Sequence, residues 1–166
     1  MRKFLVLFVL LYTLESSACD CGYVGSFLKV APKTSFVAVV KVVRYVTLSN
    51  PGNSPRSIEV EVVDVIKGKE KRKHLVVWGD DGHLCRPFVS QFKVDSVYVM
   101  ALHKGSVRWG QRGEKPSDYS ISNCGTHWLS VDRSTGLING DVVGDIRDSS
   151  AITLGKLKVD LSATRR

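Results

Sequence analysis

Two cysteines one residue apart, Cys19 and Cys21, stand directly behind an apolar leader and constrain this chain more than any other feature. Arg2 and Lys3 precede an uncharged run from Phe4 to Leu14, too short to cross a bilayer comfortably as a helix. Ser16 and Ala18 then occupy the two small-residue positions of a cleavage site. Residues 1–18 therefore read as a secretion signal, and Cys19 as the first residue of the mature protein. Export to an oxidising compartment predicts disulfides for the four cysteines Cys19, Cys21, Cys85 and Cys124. A bridge from the N-terminal pair to either distant cysteine closes a long loop, worth about 4 kcal/mol of chain entropy. Spacing alone leaves the connectivity open.

The rest of the chain reads as strands separated by turn chemistry. Gly22 to Thr34 is a short helical turn or irregular lead-in. Ser35 to Val46 is almost wholly β-branched or aromatic, which predicts a long, largely buried strand. Asn50-Pro51-Gly52-Asn53 and Pro55 supply a hairpin loop. In the second strand, 57–67, Ile58, Val60 and Val62 alternate with Glu59 and Glu61, and the pair Val62-Val63 shifts the phase, predicting a bulge. His74 to Trp78, Val97 to His103 and Asp118 to Cys124 complete five strands. Gly105 to Pro116, polar and Gly-rich with Trp109, reads as a mobile loop. Thr126 to Val131 reads as a helical turn carrying Trp128, and Gly136 to Ile146 as a loop-rich hairpin. Leu154, Leu157 and Leu161 have helical spacing, with Thr153 as cap. The fold expected is mainly β: a five-stranded closed OB-like barrel with small peripheral helical segments. Its core is expected from Val37, Val39, Ile58, Val60, Val76, Val99 and Ile121. Residues 133–166 are expected to pack on the barrel and not to form a second domain.

Composition narrows the chemistry. Lys and Arg number 24 against 16 Asp and Glu, a formal charge of +8, which favours acidic partners. The cluster Lys67, Lys69, Lys71, Arg72 and Lys73 is the candidate polyanion site. Nucleic acid is not expected, since Tyr45, Trp78, Tyr98 and Trp128 form no stacking series and export removes the usual encounter. Cys19, Cys21, His83, Cys85 and His127 have ligand chemistry suited to zinc, but oxidation would take the thiolates. No intrinsic metal or cofactor is expected. No nucleophile elbow, metalloprotease helix or phosphate loop occurs, and Asp80-Asp81 reads as a solvated turn, so an enzyme is not expected.

A mature Cys19-Asp20-Cys21 terminus, five barrel strands, Cys85 before the fourth and Cys124 ending the fifth resemble the inhibitory domain of tissue inhibitors of metalloproteinases. That domain belongs to the wider netrin-like OB-fold family. The resemblance spans residues 19–132 and includes Val65-Ile66-Lys67-Gly68 at the end of the second strand. It implies disulfides Cys19–Cys85 and Cys21–Cys124. It also implies a secreted inhibitor of zinc metalloendopeptidases, bound in trans. The α-amino nitrogen and carbonyl oxygen of Cys19 would chelate the protease zinc and displace its water, on an inhibitory ridge of Asp20, Cys21, Gly22, His83, Leu84 and Cys85. Where the family carries a small hydroxyl residue, this chain has Asp20, which the resemblance aims at the primary specificity pocket.

A different reading is a non-inhibitory netrin-like binding module for a polyanion or protein. It could be a lipoprotein anchored to a bacterial envelope through Cys19. Ser17-Ala18 suits a lipoprotein signal, although Ser16 stands where leucine is usual. Lipidation would consume the thiol that a Cys19–Cys85 bridge needs, so the two readings exclude each other, and only lipidation would bring the chain to a membrane.

Overall fold

The computed structural model describes residues 21–46, 54–108, 110–144 and 151–164. The leader, Cys19, Asp20, Trp109 and the Asn50–Asn53 turn lie outside the described residues. A one-turn helix, α1 (Phe27–Val30), and a 3-10 turn (Ala31–Lys33) lead into β1 (Phe36–Tyr45). Then follow β2 (Ser57–Lys67), β3 (His74–Trp78), β4 (Val97–Lys104) and β5 (Tyr119–Ser120). Strands β6 (Trp128–Val131), β7 (Leu137–Asn139) and β8 (Ile152–Thr153) precede helix α2 (Leu154–Ala163).

The barrel runs β1-β2-β3-β5-β4 and closes where β4 pairs antiparallel with β1. One junction is parallel, β3 with β5. This is the closed, OB-like arrangement expected. Closure removes the free edges that β1 and β4 would otherwise expose. The register of β1 on β2 steps from Val39↔Asp64 to Val40↔Val62, leaving Val63 unpaired at the expected bulge. Further shifts follow at Val37/Ala38 and Val42/Arg44, so the longest hairpin bends repeatedly as it wraps.

Both faces of β1 are buried, and they serve different cores. Phe36, Ala38, Val40 and Val42 point into the barrel with Ile58, Val60, Leu75, Val77 and Ile121. Val37 and Val39 face outward with Val99, Ala101, Leu129 and Ile138, and are covered by Phe27, Leu157 and Leu161 from the two helices. The single core expected from the alternation thus divides: Val37, Val39 and Val99 belong to the outer cluster. Val76 is only half-buried, because Leu75 and Val77 on either side of it take the inward positions.

Three local expectations are corrected. The fifth strand is two residues long, and the chain leaves it after Ser120, with the Ile121 amide on the Trp78 carbonyl at 3.1 Å. Residues Trp128–Val131 form a strand on β4, not the expected helical turn; Trp128 and Val131 are strand-favouring residues, and the segment pairs with Val97–Met100. The 105–116 loop is pinned by buried Gln111 and Glu114, whose side chains bond to main chain and to Arg86. Residues beyond 132 continue the same body: β7 pairs with β6, and α2 completes the outer core. Thr153 caps α2 as its position suggests, accepting from the Lys156 amide at 3.2 Å.

Candidate functional site: the disulfide cluster and the N-terminal strip

The extended strip 21–25 lies along segment 124–126. Val24 N–H donates to the Cys124 carbonyl at 3.3 Å, and Thr126 N–H to the Gly25 carbonyl at 2.9 Å. The crossing requires glycine on both sides. Gly25 and Gly125 have φ of +131° and +128°, and a Cβ on Gly125 would stand 2.9 Å from the Gly25 carbonyl oxygen. Cys21 and Cys124 are joined in a disulfide, their Cα atoms 5.6 Å apart, as the resemblance implies. Cys85 is disulfide-bonded as well; Cys19, its expected partner, lies outside the described residues. The sulfurs of Cys21, Cys85 and Cys124 fall within 4.8 Å of one another. Being oxidised, they offer no thiolate for a metal.

The Cys85 loop is shaped by carboxylates. Asp80 Oδ1 accepts from the amides of Asp81 (2.9 Å) and Leu84 (2.8 Å), while Asp81 Oδ1 accepts from His83 N–H at 3.2 Å. Asn123 N–H donates to the Cys85 carbonyl at 2.9 Å and draws the loop beside Cys124. Of the residues expected on a ridge, Gly22 and His83 are exposed, and Cys21, Leu84 and Cys85 are half-buried around the sulfur cluster. Next to them a cavity of about 380 Å³ is lined by Asp80, Leu84, Arg86, Pro87, Phe88, Gln91 and Asn123. Phe88 is 56% exposed at its edge.

Tyr23, Asp141 and His103 at the site carry no sequence signal. The exposed Tyr23 hydroxyl donates to the Asp141 carboxylate and lies 3.1 Å from Thr126 Oγ1, so β7's downstream loop holds the strip. The Asp141 carboxylate raises the Tyr23 pKa above its usual value by accepting that proton. Phe27 and Leu28 amides donate to the carbonyls of Asp141 and Val142, each at 3.0 Å. Beneath the strip, a cavity of about 250 Å³ is lined by Val24, Lys33, His103, His127 and Cys124 among others. Burial lowers the pKa of both histidines, and for His103 the neighbouring His127, Arg86 and Lys67 act in the same direction. The Gly125 carbonyl, 3.2 Å from His127 Nδ1, opposes the effect on His127. The Tyr23–Asp141 and His103–His127 contacts join residues from separate elements, so no short motif announces them.

The basic cluster is divided by its pairings. Lys67 turns inward, its ammonium donating to the carbonyls of Pro32 (2.6 Å) and Thr34. Arg72 binds Glu70 at 2.7 Å and the Ser117 carbonyl, and Lys73 binds Glu61 at 3.1 Å. Lys69 and Lys71 are exposed. The five residues do not present one face of unpaired cations. Compared with known proteins, the chain matches no family model and no curated sequence.

Proposed function

We propose that the protein is a secreted inhibitor of zinc metalloendopeptidases, chelating the protease zinc through the α-amino and carbonyl groups of mature Cys19. The observation that carries this reading is the convergence of Cys21, Cys85 and Cys124. Their sulfurs lie within 4.8 Å, at the point where the N-terminal strip meets the barrel. Cys21, two positions after Cys19, is cross-linked to Cys124, and Gly22 and His83 near the cysteines are exposed. The proposed bridge from Cys19 to Cys85 would fix the terminus further. Chelation by a pre-positioned amine and carbonyl costs little conformational entropy on binding. The α-amine titrates near pH 7.7–8.0 in ordinary peptides, and loses its proton readily on metal binding. Displacing the zinc-bound water removes the protease's nucleophile.

The test compares protein beginning at Cys19 with a form that retains Ala18, against a panel of zinc endopeptidases. The extra residue converts the amine to an amide, a far weaker ligand, and leaves the barrel untouched. Inhibition by the Cys19 form alone is the expected result. Equal inhibition by both forms refutes chelation, and inhibition by neither refutes the inhibitor reading.

A further inference from the structure

His103 and His127 lie under the main-chain bonds that hold the strip in place. Their ring centroids are 5.5 Å apart, and His127 is only 4% exposed. Val24 of the strip and Cys124 line the same cavity. On either side of the His127 ring the chain is bound. Thr126 N–H reaches the Gly25 carbonyl at 2.9 Å, and the His127 carbonyl accepts from Ala101 N–H at 2.8 Å.

Among the described residues, the charged groups that line this cavity or act on His103 are cations. Lys33 approaches from the 3-10 turn, Lys67 from the end of β2, and Arg86 from the Cys85 loop. Glu114 is engaged by Arg86, and among the described residues no carboxylate lines this cavity. The Asp141 carboxylate bonds Tyr23 and Thr126 Oγ1 but does not line the cavity, so protons added to the two imidazoles meet the neighbouring cations in a site of low dielectric.

We propose that the His103–His127 pair is an acid-sensitive latch: protonating both imidazoles forces them apart and frees Val24–Gly25 from segment 124–126. The Cys21–Cys124 disulfide keeps the loosened strip tethered. The sign follows from the direction of the shifts. Each imidazole binds its proton less well when folded than at its ordinary value of 6.5. The latch is therefore fully closed above that pH and opens as the pH falls below it. Joined to the inhibitor reading, on which this extension rests, the latch makes binding tight at neutral pH and weak in acid.

Hydrogen exchange by NMR on the disulfide-intact mature protein tests the latch without reference to any protease. Protection of the Val24 and Thr126 amides, corrected for intrinsic exchange, is compared between about pH 7.5 and about pH 5. The reference is the Val62 amide, bonded to the Lys73 carbonyl at 2.8 Å between β2 and β3. The expected result is a fall of about tenfold or more at Val24 and Thr126 with little change at Val62. The half-buried His103 is replaced in H103Q, which should flatten most of that pH response even if an H127Q variant fails to fold. Unchanged protection in the parent protein, an equal acid loss in H103Q, or a parallel loss at Val62 would each overturn the latch. Inhibition assays are read separately, so failure of the inhibitor reading leaves the exchange result standing.

Discussion

Arg86 grips Glu114 with both terminal guanidinium nitrogens, at 2.7 and 3.2 Å, and the Glu114 side chain is completely buried. Glu114 also accepts the amides of Ser106 (3.1 Å) and Gln111 (3.0 Å), so one carboxylate organises the 105–116 loop and fastens it beside Cys85. Arg86→Met should leave that charge buried without its partner and cost about 3–5 kcal/mol in urea unfolding. The double variant Arg86→Met/Glu114→Leu should recover part of the loss. Equal destabilisation by single and double variants would show that the charge itself is not the cause.

Asp20→Thr should tighten inhibition of a zinc endopeptidase by about tenfold or more, if Asp20 enters an apolar specificity pocket beside the enzyme's own glutamate. The change removes a desolvated carboxylate and leaves the chelating atoms of Cys19 intact. Inhibition constants for the two forms decide it; equal or weaker inhibition by the variant contradicts the pocket placement.

Replacing Cys21 and Cys124 together by serine opens a link between residues 103 positions apart. The expected loss is about 2–5 kcal/mol, read by denaturant titration under oxidising conditions. Under conditions where the variant remains folded, protection at Val24 should fall further than at Val62, because the strip loses its covalent anchor.

Glu70 accepts both a bidentate interaction from Arg72 and the Tyr119 hydroxyl at 3.1 Å. The Arg72 hydrogen bonds hold its carboxyl down to about 2, from an ordinary 4.5. Its stabilising contribution is therefore fully present above the ordinary value and is lost as the pH falls from 4.5 through about 2. Glu70→Gln should lower stability at pH 7 by about 1–2 kcal/mol and flatten that part of the stability profile. Chemical denaturation across this range reads both effects.

Leu157 is fully buried in the outer core, against the barrel wall. Leu157→Ala should cost about 2–5 kcal/mol. The loss should appear in the same cooperative transition as the barrel. A separate, earlier transition of the helix would show that residues beyond 132 are an appendage.

What was legible in the sequence was local. The β-branched run of β1, the phase change at Val62-Val63 and Thr153 at the head of α2 act through neighbouring residues. They specified strands, bulge and cap in their observed places. The β1 run also shows why period alone fails: with both faces apolar, no alternation tells the barrel interior from the face covered by helices. Residues Trp128–Val131 show the complementary limit, because their strand is built on pairing with β4, far away in the chain, as well as with the neighbouring β7.

Local chemistry along the chain is enough to make it mainly β, with a barrel-sized set of strands and cysteines placed to tie distant segments together. It can do so because strand propensity, turn residues and cysteine spacing are written in order along the chain. Only the three-dimensional arrangement brings Arg86 to Glu114 and His103 to His127, and cysteine spacing alone leaves the Cys21–Cys124 bond, which the family resemblance implies, undetermined. Each of those pairs joins residues from different elements, and each depends on how the barrel closes, a long-range outcome that local preference does not encode.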